Sequence, residues 1–275
     1  MFFALACTLV SSVALSSAAL ASEVVNSPQW NFNASTTIAS EYFGSIVGGT
    51  FYKADKRNHG VAFNVVGASR PVKDGVLYAS ALVIQPLDDA HLNKSSGNEW
   101  ALTLGRTFEF DNNAEGRPLV KLDTFVMWDA LQPIEKANDV ITFSARIDLP
   151  RVLHAQPYVQ IWHWERASGS SPEGGAFAAA GLVRRQPIAW PTADGRSVPA
   201  IDLEYRFGYS GGVFNTKAGQ AYHRFIVSRT YKVGLESKWS VTPAVIAQTH
   251  VGHDTSGTLG KGSRVFATLT LGWRG

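Results

Sequence analysis

Charged side chains of both signs recur at two-residue spacing: Lys121 with Asp123, Arg146 with Asp148, then Asp202, Glu204 and Arg206, with Arg224 further on. In an extended strand, residues i and i+2 project from the same face, so each set falls on one side of its strand. Two chemistries suit such a set. Around a wet passage it forms a constriction that sorts small solutes by charge. In a closed interior the opposite charges pair across strands and hold the structure together without conducting anything. The signs are balanced, favouring neither anions nor cations, and both readings stay open.

Other chemistry is sparse. A hydrolytic pair on one strand face needs a His followed two residues later by a Ser, and none of His59, His91, His154, His163, His223, His250 and His253 has one. His253-Asp254 is an isolated dipeptide, read as a solvated loop pair. His250 and His253 with Asp254 could hold a divalent ion, but they read as ordinary polar loop residues. No phosphate-cradling glycine loop of the G-x-x-x-x-G-K type occurs. Cys7 is the sole cysteine. It lies in a leader-like segment, so the remaining chain has no disulfide, thiol nucleophile or cysteine metal site. No enzyme and no cofactor are expected.

The elements that carry the charged sets read as strands. Ile201, Leu203, Tyr205, Phe207 and Tyr209 alternate with Asp202, Glu204, Arg206 and Gly208, giving one greasy and one charged face. Val265, Ala267, Leu269, Leu271 and Trp273 alternate with Thr268, Thr270 and Gly272. Trp30, Phe32, Ala34, Thr36 and Ile38 alternate with Asn31, Asn33, Ser35 and Thr37. The same period recurs near 30–42, 58–68, 75–85, 99–110, 118–128, 139–149, 156–165, 175–186, 200–210, 221–233, 238–250 and 264–273. That is about twelve strands, mostly of ~10–13 residues, the length a tilted strand needs to cross a bilayer. Connections alternate between long polar stretches and tighter ones (Ser69 to Asp74, Pro150 to Ala155, Gly234 to Ser237). Pro187 to Pro199 is long where a tight turn is expected.

Met1 to Ser22 carries no charged side chain and ends Ala19-Leu20-Ala21, a small-x-small cleavage pattern. It reads as an export signal peptide over 1–22, leaving one domain over 23–275. The net charge is +3, and basic runs stop at two residues (Lys56-Arg57, Arg184-Arg185). Nucleic acid is therefore an unsuitable partner. After the leader no apolar run reaches the ~18 residues of a membrane helix.

Eight Trp, eight Tyr and fifteen Phe cluster toward strand ends: Trp30, Tyr42, Trp100, Phe110, Trp128, Trp239 and Trp273. With the closing run Phe266-Ala-Thr-Leu-Thr-Leu-Gly-Trp273, this resembles the porin-like class of Gram-negative outer-membrane β-barrels, whose final strand leads through alternate apolar residues to an aromatic. That resemblance implies an all-β fold, a single antiparallel transmembrane β-barrel of about 12 strands. It also implies outer-membrane lipid and the outer-membrane assembly machinery as partners, and small solutes as cargo. Lys121, Asp123, Arg146, Asp148, Asp202, Glu204, Arg206 and Arg224 are then expected to line the lumen. The alternatives are a non-conducting barrel acting through its outer loops and a soluble secreted β-sandwich that binds a ligand. Three local features strain the pattern. Arg106 falls in phase with Trp100, Leu102 and Leu104, so it must lie near an interface or beside a bulge. The orientations of strands 75–85 and 156–165 are unreadable, because the latter carries Trp162 and Trp164 on one face and Val159 and Ile161 on the other. Pro243 requires a ladder irregularity or a strand end.

Overall fold

A computed structural model describes residues 29–40, 60–87, 99–114, 116–131, 139–152, 155–167, 174–187, 200–211, 219–234, 237–250 and 263–275. The leader segment, Tyr42, His253 and Asp254 lie outside them. The strands are β1 (Asn31–Ala39), β2 (Val61–Val72), β3 (Gly75–Pro86), β4 (Glu99–Phe110), β5 (Val120–Leu131), β6 (Val140–Asp148), β7 (Pro157–Arg166), β8 (Gly175–Pro187), β9 (Ala200–Ser210), β10 (Gly219–Ser228), β11 (Tyr231–Lys232), β12 (Trp239–His250) and β13 (Ser263–Arg274). Each long strand pairs antiparallel with its sequence neighbours. β1 pairs with both β2 and β13, and β10 with both β9 and β12. The sheet therefore closes on itself. β11 carries β10 onward along β12, so the barrel has twelve strands, as alternation predicts. A sandwich of two packed sheets is excluded.

The outward face is apolar. Leu104 is 61% exposed, Val265 67% and Ile161 53%, and similar side chains repeat around the circumference. Soluble monomers rarely expose so continuous an apolar surface. Aromatic residues ring both ends of this band. Trp100 and Trp128 meet edge-on at 4.6 Å near one rim. Trp239 and Trp273 pair directly across β12 and β13 at the other, with Trp30 and Phe110 exposed there too.

The strained positions resolve locally. Arg106 faces outward near the rim, with its guanidinium 4.4 Å from the Phe108 ring centre and Nη2 donating to the Lys73 carbonyl at the adjacent turn. This is the interfacial location its phase required. β3 turns Tyr78, Leu82 and Ile84 inward, and β7 turns Tyr158, Gln160, Trp162 and Trp164 inward. The turn expected over Ser69 to Asp74 is shorter, because β2 runs on to Val72 and only Lys73 and Asp74 lie between the strands. Pro243 lies inside β12, opposite the break between β10 and β11. Ser228 pairs Ala244 before the break and Tyr231 pairs Val241 after it. Proline has no N–H to give the ladder, so the ladder lapses there. The long connection expected over Pro187 to Pro199 falls almost wholly outside the described residues.

Candidate functional site

Strand parity sends all eight charged candidates to the interior side of the barrel. Lys121, Asp123, Arg146, Asp148, Arg206 and Arg224 are buried, and Glu204 and Asp202 are partly so. Their level is set by register. Lys121 lies opposite Asp148, and Asp123 opposite Arg146. Asp148 lies opposite Tyr158. Arg206 lies opposite Arg224. The set forms a belt around β5 to β10, in the half of the interior nearer the short turns.

Two tyrosines build the belt in the same way. Tyr78 on β3 lies opposite Gly105 on β4, and its ring occupies the space a β-carbon at Gly105 would need, at 2.3 Å. The hydroxyl thus passes over β4 and donates to Asp123 Oδ2 on β5 at 3.1 Å. Thr107 Oγ1 donates to the other oxygen at 2.9 Å. Tyr158 on β7 lies opposite Gly181 on β8, again within 2.4 Å of where a β-carbon would sit. Its hydroxyl donates to Glu204 Oε1 on β9 at 2.6 Å. Tyrosine, glycine and acid thus occupy three successive strands, twice. The absent side chain is what lets the ring lie flat and span two strand spacings.

Arginines complete the belt. Arg146 Nε donates to both Asp148 oxygens at 3.0 Å and Nη2 to Oδ1 at 2.7 Å. Its guanidinium stacks 3.9 Å over the Tyr158 ring centre. Arg206 Nε donates to the Tyr158 oxygen at 2.8 Å, and Nη2 to Glu204 Oε1 at 2.7 Å. Arg224 Nε donates to Gln248 Oε1 at 2.6 Å, and Gln160 donates to Ser144 at 3.1 Å. Charge-assisted bonds of this length are the stronger kind. Asp202 forms the margin of the belt, near the start of its strand and opposite Arg185 on β8.

The other half of the interior departs from the expected polar lumen. Phe63, Val65, Leu82, Ile84, Ala101 and Met127 are buried there. Phe177 packs between Trp162 at 5.5 Å and Tyr222 at 6.1 Å. Asp129 is the buried acid of this half, and its Oδ1 has no hydrogen-bond partner among the described residues. Strand alternation could not identify these residues as interior, because both faces of β2, β3 and β7 are apolar in places. Tyr78, Thr107, Tyr158, Gln160 and Gln248 were missed for another reason. Each is ordinary in its own strand and acquires its role only through cross-strand register.

Histidines contribute little. His223 Nδ1 lies 2.7 Å from the Tyr205 hydroxyl, and the exposed His163 lies 3.3 Å from Glu165. No cluster of three His, Cys, Asp or Glu that could hold a metal ion occurs among the described residues.

No family model and no curated protein matches the chain. An outer-membrane channel from Pseudomonas putida F1 has a similar structure, with a TM-score of 0.52 and 10% identity over 93% of this chain and 98% of that one. The KdgM porin in complex with disordered oligogalacturonate gives 0.44 and 7% over 88% and 98%. The KdgM porin on its own gives 0.40 and 8% over 89% and 97%. The likeness to the Pseudomonas channel is one of fold: this chain is a closed antiparallel barrel of the architecture found in outer-membrane channels.

Proposed function

We propose that the chain is an outer-membrane channel for small polar solutes, and that the belt of Lys121, Asp123, Arg146, Asp148, Asp202, Glu204, Arg206 and Arg224 is its filter. The observation that carries this reading is the inversion of polarity: a closed barrel whose outside is apolar and aromatic-girdled, and whose inside holds a belt of charges. Lipid satisfies the first surface; the second is satisfied by its own ion pairs and hydrogen bonds and presents a charged wall to polar solutes. Opposite signs around one belt give a steep transverse field, which orients polar solutes without demanding one net charge. Export through the 1–22 leader delivers the chain, and the alternating final strand ending at Trp273 suits the outer-membrane assembly machinery.

A second reading has its own support. Trp162, Phe177 and Tyr222 pack against one another inside the barrel, and Arg146 and Arg206 are ion-paired, as expected of a non-conducting barrel. Two measurements separate the readings. Heat modifiability on a denaturing gel tests the closed membrane barrel, and planar-bilayer recording tests conduction. Discrete conductance steps from heat-modifiable protein support the channel. Heat-modifiable protein that gives no steps supports the plug. Soluble, unmodifiable protein removes both.

A further inference from the structure

The outward face carries a furrow that the channel reading does not use. It follows from the ladder lapse at Pro243. Short side chains at Pro243 and Ala267 lie among longer ones at Ile38, Leu269, Val245 and Val227, leaving a depression of ≈ 610 Å³. The furrow runs across the strands from β1 through β13, β12 and β10 to β9, a span of about 19 Å at ~4.8 Å per strand. Most of its lining is apolar, and it ends on Arg229 and Tyr231, level with the start of β9 on the short-turn side.

Arg229 faces outward with its guanidinium 4.6 Å from the Tyr231 ring centre. A second outward arginine lies close by. Arg184 on β8 is opposite Leu203 on β9, and Leu203 is opposite Val227 on β10. Arg229 follows Val227 by two residues, so the two arginines flank the same apolar patch on a diagonal of about 12 Å between backbones, two strand spacings across and two residues along. No ion pair joins either one to a carboxylate among the described residues. An arginine on a lipid-facing surface is tolerated near an interface and gains when it meets an anionic headgroup. Its planar fork binds phosphate oxygens two at a time.

We propose that this furrow is a binding site for one anionic phospholipid, its phosphate held between Arg184 and Arg229 and one acyl chain lying along the Pro243 depression. The site rests on the membrane-barrel reading above. Apolar lining accounts for the chain, the arginine pair for the phosphate, and the rim position for both being met by one molecule whose headgroup stays at the interface.

The test is native mass spectrometry of the full chain released from nanodiscs containing equal phosphatidylglycerol and phosphatidylcholine. The expected result is one retained phosphatidylglycerol per chain, in clear excess over phosphatidylcholine. Arg184→Gln and Arg229→Gln should each lower that retention about fivefold. Val245→Trp, which fills the furrow while keeping an apolar outward residue, should lower retention of both lipids. Equal retention of the two lipids, or retention unchanged in the arginine variants, overturns the proposal. So does displacement by glycerol phosphate as effective as by the lipid, which would make the site a phosphate site alone. Dimers of the chain in place of lipid adducts, lost in Val245→Trp, would assign the furrow to a second copy and also overturn it. Failure of the chain to enter nanodiscs at all would be seen separately, and would remove the membrane reading itself.

Discussion

The two halves of the barrel interior are built on opposite principles. Near the short turns, Asp123, Arg146, Asp148, Tyr158, Glu204 and Arg206 are held by directed bonds of 2.6–3.1 Å. In the other half, Phe63, Val65, Leu82, Ile84, Trp162 and Phe177 are held by shape and burial. Directed bonds fix each group in one place and leave a severe penalty when a partner is lost. Apolar packing is adaptable and tolerates exchange at constant volume. A belt that must present charges at fixed positions needs the first kind of construction. The other half only has to fill or bound space.

That contrast can be broken most forcefully at Glu204. Glu204→Ala leaves Arg206 without its carboxylate, and should cost about 3–5 kcal/mol, as broken buried pairs do. The drop would be read as a lower temperature for loss of the compact gel form. Gly181→Ala should follow, at up to about 3 kcal/mol, because the new methyl enters the Tyr158 ring. Combined with Tyr158→Ala, its cost should be less than additive in the same unfolding assay. Tyr78→Phe should cost about 2 kcal/mol, since Asp123 loses one of its two hydroxyl donors. In the apolar half, Leu82→Met should cost below about 1.5 kcal/mol, and bilayer recording should find its ion selectivity unchanged.

The same contrast explains what could be read from the residues alone. Where the interior side is charged, as in β9, alternation of Ile201, Leu203 and Tyr205 with Asp202, Glu204 and Arg206 gave both the strand and its inward face. The strand bounds of β4, Glu99–Phe110, and β9, Ala200–Ser210, match the expected 99–110 and 200–210. Where the interior side is apolar, the period-2 signal loses its sign. Trp162 and Val159 look equally greasy, and only the closed sheet shows that Trp162 points in. The tyrosine bridges were illegible for a third reason. Tyr158, Gly181 and Glu204 are separated by about two strand lengths in sequence, and their meeting depends on the register of two successive hairpins. Pro243 within a strand pattern predicts an irregularity, but the furrow depends on the side chains that neighbouring strands bring around it.

The most direct test of the account is the reversal potential of single channels in a planar bilayer under a salt gradient, for the wild type and Lys121→Glu. The eight proposed filter residues comprise four cations and four carboxylates, so the wild type should reverse near zero. Lys121→Glu changes that balance by two charges, and should move the reversal potential clearly toward cation selectivity. Steps whose reversal potential is the same in both proteins, or no steps from correctly inserted protein, would contradict a solute path through the charged belt.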